Sequence, residues 1–270
     1  MQPITHMALR AARKAGELIA RAGQRLDLVG VESKGANDFV TEVDRKSEQE
    51  IIFQLSKSYP DHAFLGEESG LSGNADSEYR WIIDPLDGTT NFIHGLPHFA
   101  VSIACEYRGK LEHAVVLDPM RHEEFTASRG KGAYVNGRRM RVSKLSNPQQ
   151  ALLATGLSFR QNHSEHMLAH FDTVAALASQ GAVIRSKGSA ALDLAYVAAG
   201  RLDAFWHTGL AAWDMAAGAL LVQESGGLIA DLGGGAGYLE SGHVVCGNPK
   251  CFKAVLQAAH GIRGALKTAQ

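Results

Sequence analysis

Apolar residues recur at every third or fourth position near the start of the chain, a spacing that is typical of an amphipathic helix. The pattern runs from Ile4 to Ala22, with basic residues between the apolar ones, and Gly23 follows as a helix-ending residue. A second helix is predicted to begin near Thr41, where Asp44 would complete the N-terminal cap, and to stop at Tyr59-Pro60.

Short apolar runs bounded by turn residues predict a series of strands after the second helix. The runs are 63–65, 81–83, 99–107 and 111–117. Arg108-Gly109-Lys110 predicts a hairpin between the last two, and Asn136-Gly137 predicts another hairpin after 133–135.

The pattern changes at Ser146-Asn147-Pro148, after which strands alternate with helices. The predicted strands are 152–154, 182–184, 203–206, 228–230 and 243–246, and the predicted helices are 164–178, 189–199, 213–224 and a last one after Asn248-Pro249. We therefore expect an α+β half at 1–147 and an α/β half at 148–270. A single α/β barrel is disfavoured because it would alternate from the start.

Composition narrows the function classes. The 270 residues are 45% hydrophobic and 20% charged, with a formal net charge of −1, so neither a disordered chain nor a dedicated nucleic-acid coat is expected. The three cysteines form no C-x-x-C pair, which argues against a disulfide framework or a zinc knuckle. Neither a signal peptide nor a membrane-spanning stretch is recognisable, and we expect a cytoplasmic protein with no membrane association.

The run from Trp81 to Asn91 carries the most chemical information. An apolar strand delivers Asp84, and Asp87 follows three residues later, so both carboxylates can converge on one hard cation such as Mg²⁺. The carbonyl of Leu86 is a candidate third ligand. The amides of Gly88 and Thr89, at the start of a predicted short helix, can bind an anionic oxygen.

Other acidic residues also stand at the ends of predicted elements. Glu67 and Glu68 lie in a glycine-flanked loop after a strand, and Asp214 lies in the first turn of a helix. Asp84 and Asp87 have an ordinary explanation, because Asp-Pro and Asp-Gly are common turn dipeptides. Asp214 has one too, because an acid in the first turn of a helix favours its dipole. A metal site is favoured because all of these acids stand at the ends of predicted elements.

Three segments together resemble the motifs of the inositol monophosphatase family. They are Gly66-Glu-Glu-Ser69, Asp84-Pro-Leu-Asp-Gly-Thr-Thr-Asn91 and Trp213-Asp-Met-Ala-Ala-Gly218. Fructose-1,6-bisphosphatases and nucleotide 3′-phosphatases are relatives in the same superfamily. The segments 96–103 and 189–200 are most similar to the bacterial SuhB-type inositol-1-monophosphatases. The resemblance extends from about Ala8 to the last helix.

This resemblance implies a layered αβαβα sandwich and Mg²⁺-dependent hydrolysis of a phosphate monoester, most simply inositol-1-phosphate, with lithium inhibition. It assigns one Mg²⁺ to Glu67, Asp84 and the Leu86 carbonyl, a second to Asp84, Asp87 and Asp214, and a weaker third ion to Glu67. It makes Glu67, Thr89 and Asp44 the groups that orient and deprotonate the attacking water. Phosphate and the rest of the substrate would contact Asp87, Gly88, Thr89, Gly188, Ser189 and Ala190.

One position departs from the family pattern. Members that act on inositol phosphate commonly have a Glu seven residues before the motif Asp, where this chain has His207. The imidazole can form a hydrogen bond but supplies no carboxylate acceptor. Either His207 contacts the substrate or it is a packing residue at a strand end, and the preference for the alcohol part of the substrate depends on which is correct.

Alternative functions remain at this point. The chain could be a related sugar or nucleotide phosphatase, acting on fructose-1,6-bisphosphate or a 3′-phosphonucleotide. It could also be a transcription antitermination accessory protein that retains the phosphatase fold, since SuhB-type proteins are associated with RNA polymerase. The basic residues Arg138, Arg139 and Arg141 could serve such contacts, although a solvated face explains them equally. A homodimer is expected by resemblance alone.

Overall fold

The computed structural model describes residues 1–35, 38–156, 164–262 and 264. Its helices are α1 Pro3–Gly23, α2 Glu42–Ser58, α3 Thr89–Ile93, α4 Ser164–Ser179, α5 Ala190–Ala198, α6 Ala212–Glu224, α7 Tyr238–Ser241 and α8 Pro249–Ala258. The capping box predicted for α2 is present, because the hydroxyl of Thr41 accepts from the backbone N–H of Asp44 and the Asp44 carboxylate accepts from the N–H of Thr41.

Most strands of the first half form one sheet. Its strands are β3 Ala63–Gly66, β4 Gly70–Gly73, β5 Tyr79–Asp87, β6 Ala100–Tyr107, β7 Lys110–Asp118, β8 Glu123–Ser128, β9 Gly132–Val135 and β10 Arg138–Arg139. The spatial order is β10-β9-β8-β7-β6-β5-β3-β4, and all pairs are antiparallel except β3 with β5. A separate hairpin, β1 Val31–Gly35 with β2 Asp38–Thr41, precedes α2.

The two predicted hairpin turns are confirmed. Arg108 and Gly109 have φ values of 51° and 74°, and Asn136 and Gly137 have φ values of 47° and 75°. Positive φ at both central residues is what a tight hairpin requires, and Asn-Gly is well suited to it.

The second half of the chain contributes a smaller sheet. Its strands are β11 Leu152–Thr155, β12 Val183–Arg185, β13 Ala204–His207, β14 Leu228–Ala230 and β15 Val244–Gly247, in the order β12-β11-β13-β15-β14. The strand β11 runs parallel to β12 and β13, whereas β15 runs antiparallel to β13 and β14.

Three helix layers alternate with the two sheets. One face of the large sheet is covered by α1 and α2, the pair α5 and α6 fills the space between the sheets, and α4 and α8 cover the outer face of the small sheet. The expected αβαβα sandwich is therefore confirmed. The middle layer buries apolar side chains of both sheets in one cluster, including Ile82 from β5 and Phe205 from β13.

The structure also differs from the sequence predictions. Strand β5 continues through Asp84 to Asp87, with an irregularity between these two residues, whereas the apolar pattern predicted its end at Asp84. The strands β1, β2, β4 and β8 were not predicted, because they are short or carry polar residues at positions that an apolar run would fill. No helix in the described ranges is long and apolar enough to cross a lipid bilayer.

Candidate metal centre

Three carboxylates from distant parts of the chain converge at one end of the large sheet. One carboxylate oxygen from each of Asp84, Asp87 and Asp214 can be chosen so that all three lie within 4.8 Å of one another. Asp84 is buried and the other two are partly buried. Such a set of oxygen atoms could hold a divalent cation.

The local fold explains why Asp84 and Asp87 meet. The ladder between β5 and β6 pairs Asp84 with Ser102 and then Asp87 with Ala100, so the register slips between the two acids. This irregularity places an additional residue on β5, and an extra residue re-aims the side chains around it. Pro85, which lies within the irregularity, cannot donate a ladder hydrogen bond, which suits it to this position.

Asp214 reaches the same place from the middle helix layer. It lies in the first turn of α6, and its Oδ2 accepts from the backbone N–H of Ala211 at 2.7 Å. The start of α6 is also attached to the large sheet, because the Ser102 hydroxyl donates to the carbonyl oxygen of Trp213 at 3.1 Å. The site is therefore assembled from elements on both sides of residue 147.

Backbone N–H groups orient the other two acids as well. Asp84 Oδ1 accepts from Leu86 at 3.0 Å, and Asp87 Oδ2 accepts from Ala191 at 2.8 Å. Asp87 Oδ2 also accepts from the hydroxyl of Ser189, the residue that caps α5. Bonds from N–H groups to a carboxylate are charge-assisted and hold the acid in one orientation.

Burial, together with neighbouring like charges, perturbs these acids. The pKa of Asp84 is raised well above its usual value by burial first and then by the charges of Glu67, Asp87 and Asp214. The pKa of Asp87 is raised to about 6, chiefly by burial, with a smaller contribution from Glu67, although the bonds from Ser189 and Ala191 act in the opposite direction. Acids that are crowded in this way favour a bound cation, which would relieve both burial and repulsion.

Glu67 lies outside the trio but close to it. It follows β3 directly, and the parallel ladder pairs Gly66 with Ile83, so Glu67 comes beside Asp84. The backbone N–H of Glu67 donates to the carbonyl of Ile83 at 3.1 Å. Its charge raises the pKa values of both Asp84 and Asp87, so it belongs to the same electrostatic site.

A hydrogen-bonded group connects Asp44 to the centre. The hydroxyl of Thr89 lies 2.9 Å from Asp44 Oδ1 and 3.0 Å from the carbonyl oxygen of Leu86, and it can donate its single proton to either. Asp44 is buried, which raises its pKa against the opposing effect of bonds from Thr41 and Thr89. Thr89 is thus in direct contact with Asp44, which is expected to act on the same water, and with the Leu86 carbonyl, an expected metal ligand.

The glycine at position 88 allows the two halves of the site to approach. Its φ is +96°, and a Cβ atom there would lie 3.1 Å from the carbonyl oxygens of both Gly188 and His98. Gly188, Ser189 and Ala190 therefore lie next to the turn that carries Asp87, and their contact with substrate stays a prediction. Asn91 also joins these two segments, because its amide nitrogen donates hydrogen bonds to the carbonyl of Lys187 at 2.7 Å and to that of His98 at 2.8 Å.

His207 is the last residue of β13 and is 9% exposed. Its Nδ1 lies 2.9 Å from the carbonyl oxygen of Thr208, to which it can donate, and a Cβ on Gly156 would lie 2.5 Å from Nε2. The ring is therefore packed against the backbone of β11's end. A contact with substrate stays a prediction.

Sequence reasoning missed two residues whose side chains bond to segments of the site, Glu48 to the backbone of Glu68 and Ser69 and Asn91 to that of His98 and Lys187. Glu48 is an acid on the apolar face of α2, one turn after Asp44, and a charged residue at a core-facing helical position was the available signal. Asn91 lies at the end of the second motif, but the sequence pattern does not indicate its contacts.

Comparisons with known proteins identify the family of this chain. The model of the inositol monophosphatase family matches residues 1–263. A protein of Pseudomonas aeruginosa named Nus factor SuhB is 60% identical over 258 residues, which is 95% of each chain.

Solved structures show the same fold. The extragenic suppressor protein suhB from Bartonella henselae matches with a TM-score of 0.92 and 41% identity over 96% of this chain and 98% of that one. The inositol monophosphatase from Anabaena (Nostoc) matches with a TM-score of 0.83 and 32% identity over 96% of each chain. This chain belongs to the inositol monophosphatase family.

Proposed function

We propose that this chain is a Mg²⁺-dependent hydrolase of small phosphate monoesters, with inositol-1-phosphate as the expected substrate. The observation that carries the proposal is the convergence of Asp84, Asp87 and Asp214, whose carboxylate oxygens lie within 4.8 Å of one another. Membership of a phosphatase family that normally uses Mg²⁺ supports the same reaction class.

The donor set fits Mg²⁺, because hard divalent cations prefer carboxylate and carbonyl oxygens. We assign one ion to Glu67, Asp84 and the Leu86 carbonyl, and a second to Asp84, Asp87 and Asp214. A weaker third ion would depend on Glu67. When bound, the ions neutralise charge on the phosphate and lower the pKa of a nearby water.

Thr89, Asp44 and Glu67 would position and deprotonate the attacking water. If Thr89 donates its hydroxyl proton to Asp44 Oδ1, at 2.9 Å, the Thr89 oxygen is left as an acceptor for a proton of that water. Glu67, whose backbone is fixed beside β5, would take the proton as general base. No side-chain nucleophile is needed for this reaction.

The amides of Gly88 and Thr89 would hold the phosphate, and Gly188, Ser189 and Ala190 would contact the rest of the substrate. The support for this assignment is that a Cβ on Gly88 would lie 3.1 Å from the carbonyl oxygen of Gly188, so the two segments lie next to each other. Asp87 would join them through its bond to Ser189.

Substrate preference is tested by changing His207. The variant His207→Glu would restore the acceptor that members acting on inositol phosphate commonly carry. We expect it to alter the ranking of inositol, glycerol and nucleotide phosphates in kcat/KM. An unchanged ranking would mean that His207 is a packing residue, in keeping with its burial against Gly156.

The names of the relatives favour a second function. Because a protein that is 60% identical is named a Nus factor, we infer that this chain also has a partner in the transcription machinery, such as RNA polymerase or an antitermination factor. The exposed Arg138 and Arg139 offer a cationic edge for it. Co-purification with RNA polymerase that persists in an Asp214→Asn variant would separate this role from catalysis.

We also expect a homodimer, which sedimentation would show.

The proposed reaction is tested by a screen of phosphate release. Inositol-1-phosphate, glycerol phosphate, fructose-1,6-bisphosphate and a 3′-phosphonucleotide are each offered with and without Mg²⁺, and lithium is added in a further series. Mg²⁺-dependent release that is fastest with inositol-1-phosphate and is inhibited by lithium supports the proposal. Faster release from fructose-1,6-bisphosphate or the nucleotide would favour the sugar or nucleotide phosphatase instead, and no release from any ester would overturn the enzymatic assignment.

A further inference from the structure

Glu48 is a buried carboxylate that holds the turn carrying Glu67. It lies on α2, one helical turn after Asp44, and is 2% exposed. Its Oε2 accepts from the backbone N–H of Glu68 at 2.9 Å, and its Oε1 accepts from the N–H of Ser69 at 2.8 Å. One acid thus binds two consecutive amides of the turn between β3 and β4.

The fit between Glu48 and this turn is close. A Cβ atom on Gly66 would lie 2.4 Å from the Cδ of Glu48, so position 66 can carry no side chain while Glu48 keeps its place. Burial of a carboxylate is costly unless hydrogen bonds satisfy it. Here the two amides satisfy both of its oxygens, which makes the arrangement specific for a carboxylate.

The turn is held on its other side by β5. The N–H of Glu67 donates to the carbonyl of Ile83, the residue before Asp84, at 3.1 Å. The turn is therefore bonded to β5 through the N–H of Glu67, and to Glu48 through the N–H groups of the next two residues.

We propose that Glu48 is a positioning residue, which fixes the Glu67–Ser69 turn so that Glu67 can serve as a metal ligand and general base. This inference rests on the proposed function. It assigns no contact between Glu48 and substrate or metal. Residues that orient metal ligands in this way typically change metal affinity by about 10- to 100-fold when they are replaced.

The proposal predicts a selective defect. In Glu48→Gln the amide NH₂ group faces one of the two backbone N–H groups, so one of the two bonds is lost. The ions that depend on Glu67 should then bind about tenfold more weakly, whereas an ion held by Asp84, Asp87 and Asp214 should be unaffected. At saturating Mg²⁺, kcat should recover to within about threefold of wild type, and KM for the ester should stay the same.

The test is calorimetric titration of metal-free protein with MgCl₂ alone, together with hydrogen exchange of the peptide that contains Glu68 and Ser69. The matched control is Glu50→Gln on the same helix, since Glu50 bonds only to Gln54 among the described residues. Glu48→Gln should weaken the Glu67-dependent binding and speed exchange of the turn, and Glu50→Gln should do neither. Equal titrations and equal exchange for the two variants would overturn the proposal.

A second route reaches the same contact without changing Glu48. Gly66→Ala forces its Cβ against the Glu48 carboxylate and should weaken Mg²⁺ binding in the same selective way. If the two act through one contact, Gly66→Ala should add little once Glu48→Ala has removed that carboxylate. Full additivity would contradict the mechanism. If Glu48→Gln folds poorly, Gly66→Ala alone still tests the contact, and unchanged Mg²⁺ binding in that variant would overturn the proposal.

Failure of the proposed function would look different. If wild type binds no Mg²⁺ and releases no phosphate, the function fails before Glu48 is tested. If wild type does both and Glu48→Gln matches Glu50→Gln, only the role of Glu48 fails.

Discussion

Two groups of acidic residues in this protein have different neighbours. Around the turn between β7 and β8, each acid faces an arginine; these acids are Asp118, Glu123 and Glu124. At the candidate metal centre the acids face one another; these are Asp84, Asp87 and Asp214. In the first region Arg121 lies 3.0 Å from Asp118, Arg13 lies 2.6 Å from Glu124, and Arg201 pairs with Glu123. These pairs are at least partly exposed on the arginine side. In the second region the charges that act on Asp84 are those of other acids, Glu67, Asp87 and Asp214.

The difference is between acids that are each paired with an arginine and acids that the proposed function makes metal ligands. Partly exposed ion pairs typically contribute about 0–1 kcal/mol to stability. Like charges gathered in a buried site are instead a cost to the metal-free fold, as the raised pKa values of Asp84 and Asp87 show. A fold tolerates such a cost where the site has a function.

The largest expected effect comes from removing one charge of the buried trio. Asp214→Asn keeps the size of the side chain but removes a ligand charge, and metal ions contribute several kcal/mol of transition-state stabilisation. We expect Mg²⁺-dependent phosphate release to fall about a thousandfold, since each ~1.4 kcal/mol is tenfold in rate. The matched control is Glu123→Gln in the arginine-paired region, with less than a twofold change. If phosphate release falls by a similar factor in both variants, the two regions do not differ in function as proposed.

A pH dependence of stability should come from Asp193, an acid that belongs to neither region. It is buried in α5, its Oδ1 has no hydrogen-bond partner in the described structure, and burial raises its pKa to about 8. Its usual pKa is about 4. Between about pH 4 and pH 8 the folded state therefore holds a proton that the unfolded state has released, and the free energy of unfolding falls as pH rises.

Asp193→Asn should remove this pH dependence. At pH 9 the variant should be more stable than wild type by at least about 2 kcal/mol, and at pH 4 the two should be similar. Chemical denaturation of the metal-free wild type and variant at several pH values measures the difference in their free energies of unfolding. A stability difference that is constant with pH would show that Asp193 is ionised in the folded chain.

The smallest effect is expected in the arginine-paired region. Arg13→Ala removes the pair with Glu124, whose members are 49% and 24% exposed. The free energy of unfolding should change by less than about 1 kcal/mol, and Mg²⁺ affinity should not change. Thermal denaturation measures the change in stability, and a Mg²⁺ titration measures the affinity. A loss of Mg²⁺ affinity would mean that the two regions are coupled.

Much of the fold could be predicted from periodicity and turn chemistry. The helices α1, α2 and α6 follow from apolar spacing and caps, and both tight hairpins follow from residues that accept positive φ. Strand β8 could not be predicted in this way, since its charged Glu123 and Glu124 meet arginines that lie far away in the sequence. The division near residue 147 stays a prediction, because one apolar cluster joins both sheets.

The site was predictable only in part. Motif spacing identified Asp84 and Asp87, but a chain pattern cannot show that β5 continues past Asp84 with a register slip. The partnership of Asp87 with Ser189 spans 102 positions, and Glu48 meets Ser69 across 21. Such contacts are set by packing of layers, which local sequence does not encode.

Thermal denaturation of wild type and Asp84→Asn, each with and without Mg²⁺, tests the central claim most directly. In Asp84→Asn the amide can still accept from Leu86 while its NH₂ donates toward Asp87 or Asp214. Without metal, the variant should melt at a higher temperature than wild type, because a repelling charge is gone. With Mg²⁺ at a hundred times its Kd, wild type should gain ~2.7 kcal/mol, about 5–10 °C, and overtake the variant. A wild type that is the more stable form without metal and gains nothing from Mg²⁺ would contradict the account.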